Sequence, residues 1–205
     1  MMSYTALSIR YGIFIFCYGK EWIPIMNKMS TRVLVEAGVF IALAQILSFI
    51  KYEMPYGGSV TLGSMVPIII FAIRWGTKRG ILVGLVHGFL QFALGTHFSY
   101  HPLGIFLDYI FAFGCLGLAG IFKKNLFFIL LSTALAMLGR FAFHFLSGII
   151  LWYTYAPKGM NIYLYSLIYN GQYMVPELII TSVIISALYK PLRKYISRQG
   201  TLYKY

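Results

Sequence analysis

Arg140, His144, Gly148 and Trp152 follow one another at steps of four within RFAFHFLSGIILW, so on a helix they project from a single stripe. A guanidinium, an imidazole and an indole make that stripe too polar for lipid. Beyond the loop APKGMN the chain re-enters an apolar segment through Tyr163, Tyr165, Tyr169, Asn170 and Tyr173, adding phenols and a carboxamide near the same loop. Upstream, Asp108 and Tyr109 lie more than a turn inside another apolar run. An ionised carboxylate there costs about 2.5 to 3.5 kcal/mol on insertion scales unless it is paired. Two arrangements would accommodate these groups. One is an interfacial belt of Tyr and Trp with a few helix–helix hydrogen bonds, and the other is a cavity that they line. Asp108 has two readings of its own, an ion pair with Arg140 or a charge presented to a ligand; its nearness to a loop without Lys or Arg favours the second. In a cavity, the rings of Trp152, Tyr109, Tyr165 and Tyr169 would stack on a flat ligand and attract a cation by about 0.5 to 2 kcal/mol each. With Asp108, His144 and Asn170 beside them, the set suits a small, flat, nitrogen-rich cation.

Other chemistries lack their residues. There is no GxxxxGK[ST] and no GxGxxG placed between a strand and a helix, which excludes ATP hydrolysis by this chain. Neither a serine elbow, an HExxH nor a pair of catalytic carboxylates is present. Of five acidic residues, Glu21, Glu36 and Glu53 are expected at ends or in loops. His97 and His101 stand four apart in GTHFSYHP but have no carboxylate or thiolate beside them, so no metal site is expected. His87 lies among glycines and reads as a packed, hydrogen-bonded histidine. Cys17 and Cys115 sit in apolar runs and read as small hydrophobes rather than as a disulfide. No cofactor is implied.

The elements that must position these groups are membrane helices. Hydrophobic residues make up 60% of the chain and charged ones 11%, with a mean hydropathy of +0.77, so the fold class is an all-α integral membrane protein. Spans of roughly 20 residues leave room for about six helices. Their expected extents are about 31–50, 61–75, 80–94, 103–122, 126–153 and 166–189, within one membrane domain over residues 26–205. In the first helix, Gly38 and Ala42 have the spacing that lets helices approach closely, either inside the bundle or at a docking face for a partner. Pro67 near the middle of the second predicts a kink. Before it, KYEMPYGGSVTLGSMVP is too rich in Gly and Pro to be helical, and Tyr56, Gly57, Gly58 and Ser59 can fold tightly over what lies beneath.

Residues 1–25 contain an apolar run too short to span and no clear cleavage site, and they read as a dispensable extension with Met26 and Met29 as candidate starts. The net charge of +12 is clustered between apolar runs. Lys28, Arg32, Arg74, Lys78, Arg79, Lys123, Lys124, Lys190, Arg193, Lys194, Arg198 and Lys204 fall on one side, against Lys51 and Lys158 on the other. This asymmetry predicts cytoplasmic termini and puts Asp108, Trp152, Tyr165 and Asn170 at the outer face.

Four stretches resemble, in order, the thiamine-specific substrate-capture (S) component of energy-coupling factor (ECF) transporters. They are MPYGGSVTLGSMVPI, the HP-x5-DY-x2-AF run from His101 to Phe113, RFAFHFLSGIILW, and APKG followed by YSLIYNGQYMVPE. The resemblance covers about residues 30 to 190. It implies a six-helix, multi-pass protein of a bacterial plasma membrane that binds thiamine at its outward face. It would dock on one transmembrane coupling protein and two cytoplasmic ATPases, and would not be an enzyme. The family's ligand contacts carry over to Asp108, Tyr109, His144, Gly148, Trp152, Tyr165 and Asn170. Its lid carries over to the loop from Tyr56 to Ser59, and its docking motif to Gly38 and Ala42. Asp108 stands where some members have Glu, one methylene shorter with the same charge, and Tyr56 is the nearest aromatic to the lid Trp of other members. Rival readings are an S component for another vitamin or a nucleobase-like precursor, a small intramembrane enzyme using Asp108, His144 and Arg140, and a structural subunit.

Overall fold

The computed structural model describes residues 30–55, 57–95, 101–123 and 125–197. Residues 1–29, with Cys17 and Lys28 among them, and Tyr56, His97, Lys124, Arg198 and Lys204 lie outside them. The chain divides into a unit Met1–Leu34 and a unit Val35–Tyr205. In the described part of the first, the Ser30 carbonyl accepts from the amides of Val33 and Leu34 and opens a helix. Everything that follows concerns the second unit.

Six helices and a two-stranded hairpin make up the described residues. They are α1 (Thr31–Phe49), β1 (Lys51–Glu53), β2 (Ser59–Thr61), α2 (Met65–Trp75), α3 (Thr77–Leu94), α4 (Pro102–Gly120), α5 (Leu126–Ile150) and α6 (Ile162–Ser197). Four of these, α1, α4, α5 and α6, are long and apolar enough to cross a membrane. With 11 residues, α2 is shorter than the roughly 20 that a span needs.

Several expected boundaries move, each for a local reason. Ser59–Thr61 pairs antiparallel with Lys51–Glu53, so the glycine-rich loop is a hairpin and α2 starts at Met65 instead of 61. Its turn carries Gly57 and Gly58 at φ of 96° and 76°, a region open to glycine. Pro67 is consequently the third residue of α2, not its middle. There its missing N–H has no helical partner to lose, and the reason for a kink disappears. The basic residues Lys78 and Arg79 wind into the first turn of α3, three residues earlier than expected. The fifth helix stops at Ile150, and Tyr153–Tyr155 forms a separate 3-10 turn. The sixth outruns its expected range at both ends, with Pro176 and Pro191 inside it, and its start is capped by the Asn161 side chain, which accepts from Tyr163 N at 2.8 Å. Glu36 is likewise not at a chain end or in a loop. It sits within α1 and accepts from Arg74 Nε (2.8 Å), Trp75 Nε1 (2.8 Å) and the Tyr195 hydroxyl (2.7 Å), which ties α1, α2 and α6 together.

The glycines of α3 bring it against α4 at backbone distance. A Cβ on Gly84 would strike the Phe113 carbonyl and stand 3.1 Å from Gly114 Cα; one on Gly88 would strike the Tyr109 carbonyl. Close approach through small residues replaces the hydrophobic drive that lipid does not supply. His87, on the same face and fully buried, meets Phe113 edge-on at 5.0 Å and reaches Gln91 at 3.4 Å, the packed role expected of it. This contact fixes the stretch of α4 that carries Asp108. That stretch, Ile105–Phe111, is wound as a π-helix, a wide turn found often at functional sites.

Gly84→Ala is therefore predicted to destabilise the protein by about 1 to 3 kcal/mol through overpacking. Gly38→Ala, inside α1 with nothing within 4 Å of the added carbon, should not destabilise and should gain up to about 1 kcal/mol of helix propensity. Thermal unfolding of the two variants in detergent, followed by intrinsic fluorescence, distinguishes them.

Candidate functional site

A cavity of about 640 Å³ opens among α3, α4, α5, α6 and the hairpin. Asp108, Tyr109, His144, Gly148, Trp152, Tyr165 and Asn170 all line it, as do Gly58 and Ser59 of the expected lid. Arg140, His144 and Gly148 of the stripe thus face inward along α5, and Trp152, two residues past the helix end, reaches the same cavity from the turn that follows. On α6, residues 165, 169, 170, 173 and 177 form the opposing wall by the same helical arithmetic.

The tyrosines divide between the outside and the cavity. Tyr153 and Tyr163 are more than half exposed. Tyr165, Tyr169 and Tyr173 turn inward as a run of rings, with centroids 5.9 Å and 6.2 Å apart. Tyr173 meets His144 edge-on at 6.1 Å, and Trp152 packs on Tyr155 at 5.6 Å.

Asp108 is not paired with Arg140. Its carboxylate is engaged by α5: Ser147 Oγ donates to Oδ2 at 2.6 Å, and His144 Nδ1 stands 3.2 Å from Oδ1. Arg140 is elsewhere. Its Nη1 meets Met65 Sδ at 2.8 Å and its guanidinium lies 4.5 Å above the Phe113 ring, so the ion pair, the less favoured of the two readings of Asp108, is not formed. The Asp108 side chain keeps 19% of its surface exposed and His144 keeps 12%, and His144 Nε2 has no protein partner. The carboxylate and the edge of the imidazole are thereby left partly open to the cavity, while His144 Nε2 is itself buried.

Asn170 and Gly148 also build the wall. Asn170 Nδ2 donates to Ser166 O (2.9 Å), and lies 3.3 Å from His144 O, while its Oδ1 accepts from the Tyr173 hydroxyl at 2.5 Å. Any side chain on Gly148 would run into Ser166 Oγ. The seam between α5 and α6 closes because one residue has no side chain and the facing one has hydrogen bonds for both helices.

Three participants escaped the sequence reading. Ser147 is the donor to Asp108. Thr61 and Glu177 meet across the chain at 2.6 and 2.7 Å, with Glu177 almost fully buried and lining the same cavity. The signal for Glu177 was present, since an acid four residues beyond Tyr173 and seven beyond Asn170 shares their face of the helix.

Gly57 and Gly58 lie on the rings of Tyr169 and Tyr173, and the Gly57 carbonyl accepts from Gln172 Nε2 at 3.2 Å. The expected docking pair, Gly38 and Ala42, is on the exposed face of α1 and not packed within the bundle. His101 caps α4, its Nδ1 accepting from Leu103 N at 3.3 Å. Among the described residues no group of three or more His, Cys, Asp or Glu could hold a metal ion.

Ser147→Ala should cost about 1.5 to 3 kcal/mol, the worth of a hydrogen bond to a charged group, by leaving one carboxylate oxygen without its donor. In an Asp108→Asn background the same substitution should cost less. A double-mutant cycle on unfolding midpoints of the ligand-free protein measures the difference.

Residues 34–197 match the model of a family described as thiamine transporter protein. A thiamine transporter ThiT of Bacillus subtilis (strain 168) is 36% identical over 181 residues, 80% of this chain and 94% of that protein. Another, from Lacticaseibacillus paracasei, is 27% identical over 172 residues, 76% of this chain and 86% of its own length. The solved structure of ThiT from Listeria monocytogenes superposes with a TM-score of 0.71 at 28% identity, covering 80% of this chain and 97% of that one. The fold is also shared, at a TM-score of 0.59 and 21% identity, with a solved S component of a bacterial ECF transporter, over 82% of this chain and 98% of that one.

Proposed function

This chain belongs to the thiamine transporter protein family, and on that premise we propose that it is a thiamine-capturing S component of an ECF-type importer. The observation that carries the reading is the convergence of seven side chains or backbones, chosen from sequence, on one cavity of about 640 Å³. Thiamine is a permanent thiazolium cation joined to an aminopyrimidine. The indole of Trp152 and the imidazole of His144 offer faces for its rings. Asp108 balances the positive charge or accepts from the exocyclic amine, and Tyr109, Tyr165 and Asn170 serve the remaining polar edges, with Gly148 letting α6 close on α5 in the cavity wall.

The hairpin acts as the lid, with Gly57, Gly58 and Ser59 over the cavity. In a bacterial plasma membrane all six helices would span or re-enter the bilayer, with both termini in the cytoplasm and the cavity outside, as the distribution of Lys and Arg supports. The exposed Gly38 and Ala42 face of α1 would dock on the transmembrane coupling protein. ATP would be hydrolysed by two partner ATPases, this chain contributing no chemistry of its own. Capture then precedes a bodily reorientation driven by those partners.

Thiamine should quench the tryptophan fluorescence of the purified protein at nanomolar to low micromolar concentrations, and riboflavin or biotin should not. Trp152→Ala should weaken thiamine binding by tenfold or more, since a stacked cation–ring contact out of water is worth about 2 kcal/mol. Isothermal titration gives the affinity of the variant. No response of the wild type to thiamine removes the assignment, and recovery of chemically altered thiamine after incubation would favour an enzyme instead.

A further inference from the structure

One face of α6 both lines the cavity and carries the lid. At the tip of the hairpin the hold is light: one hydrogen bond from Gln172 to Gly57, and two glycines resting on the rings of Tyr169 and Tyr173. At its base the hold is of another kind. Glu177, 1% exposed, uses the single oxygen Oε1 to accept the backbone N–H of Thr61 at 2.6 Å and the Thr61 hydroxyl at 2.7 Å. A threonine hydroxyl has one proton to give. Because that proton goes to Glu177, Ser64 must donate to Thr61 Oγ1, from its hydroxyl at 2.7 Å and from its amide at 3.3 Å. Donors therefore run in one direction, from Ser64 through Thr61 to the carboxylate. This chain of bonds fixes the last residue of β2 and the turn that leads into α2.

Thr61 is also where the hairpin joins the helices. It pairs with Lys51 in the sheet, and the next residue, Leu62, donates to Ile50 O at 3.1 Å. Freeing Thr61 from Glu177 therefore frees the base of β2 from α6. Glu177 Oε2 and Arg140 Nε are buried without a protein partner, in two residues that line the cavity, so the carboxylate that holds the strand lies in the cavity wall.

We infer that Glu177 is the latch of the lid, a positioning residue that retains the ligand by holding Thr61. The inference rests on the reading of the hairpin as a lid over a ligand cavity. A buried carboxylate suits the task because it is intolerant of half measures. Stretching the bond leaves a charged oxygen and a backbone N–H unsatisfied out of water, which favours two positions, latched and released, over a continuum.

The test uses the full chain in detergent micelles, with Thr61→Val, Glu177→Leu, the double variant and Glu177→Gln. Without ligand, hydrogen exchange of the hairpin segment 51–61 should speed up on the order of tenfold or more in Glu177→Leu, and by less in Thr61→Val, which loses the hydroxyl bond but keeps the backbone N–H bond to Glu177. The double variant should match Glu177→Leu, since both changes break one chain of bonds, and Glu177→Gln, which keeps an acceptor without the charge, should fall between. With thiamine bound, release followed by tryptophan fluorescence should quicken in the same order. Hairpin exchange at the wild-type rate in Thr61→Val overturns the latch, and this variant decides the matter if Glu177→Leu does not fold. Loss of thiamine affinity in Glu177→Leu with unchanged release from Thr61→Val would make Glu177 a ligand contact, and also overturns it. Should the wild type fail to bind thiamine, the proposed function falls, while the ligand-free exchange still tests the latch.

Discussion

A polar side chain within a lipid-facing helical bundle needs either a partner or a cavity, because hydrocarbon offers neither water nor hydrogen bonds. The arrangement of this protein follows from that constraint. Asp108 finds Ser147 and the His144 ring on α5. Asn170 gives its amide to α5 and α6 at once. Glu177 takes Thr61 from the hairpin. All but the Asn170–Ser166 bond join different elements, so satisfying the polar groups also assembles the site. Three of the atoms left over, Arg140 Nε, His144 Nε2 and Glu177 Oε2, belong to residues around one cavity.

The apolar part of the fold serves the same end by a different means. Where α3 meets α4, glycines bring the backbones into contact, which leaves α4 no freedom to slide and sets Asp108 at one depth. The π-helical turn in α4 then widens the helix where the carboxylate must reach across to α5. At Gly148 the absence of a side chain lets α5 and α6 close on each other beside the cavity wall. Rigid helices thus hold the rings and the charge, while the one element made of short strands and glycines covers them. Binding and covering are assigned to parts of different stiffness.

Much of this was legible in the sequence, for reasons that can be named. Steps of four on a helix oblige Arg140, His144 and Gly148 to share a face, and a membrane leaves such a face few destinations; Trp152 joins them from just past the helix end. The long apolar runs likewise dictate α1, α4, α5 and α6. What was not legible depends on partners brought together by folding. Asp108 is opposite in charge to Arg140, yet a guanidinium that packs on Met65 and Phe113 is out of its reach, and the nearer His144 and Ser147 take its place. No local pattern marks Thr61 as the partner of Glu177, more than a hundred residues away. The hairpin was hidden because three-residue strands among glycines carry no alternation to read, and its formation in turn moved Pro67 from the middle of α2 to its first turn. Glu36 was misplaced for a similar reason: its three donors come from α2 and α6.

The central claim is that the cavity exists to hold a flat vitamin cation. Its most direct test is the small molecule that travels with the protein. After expression in thiamine-containing medium, purification and denaturation, mass spectrometry of the extract should find thiamine in equimolar amount with the chain, and far less in a preparation of Asp108→Ala. An extract without thiamine, or one dominated by an anionic or uncharged compound, would contradict the account.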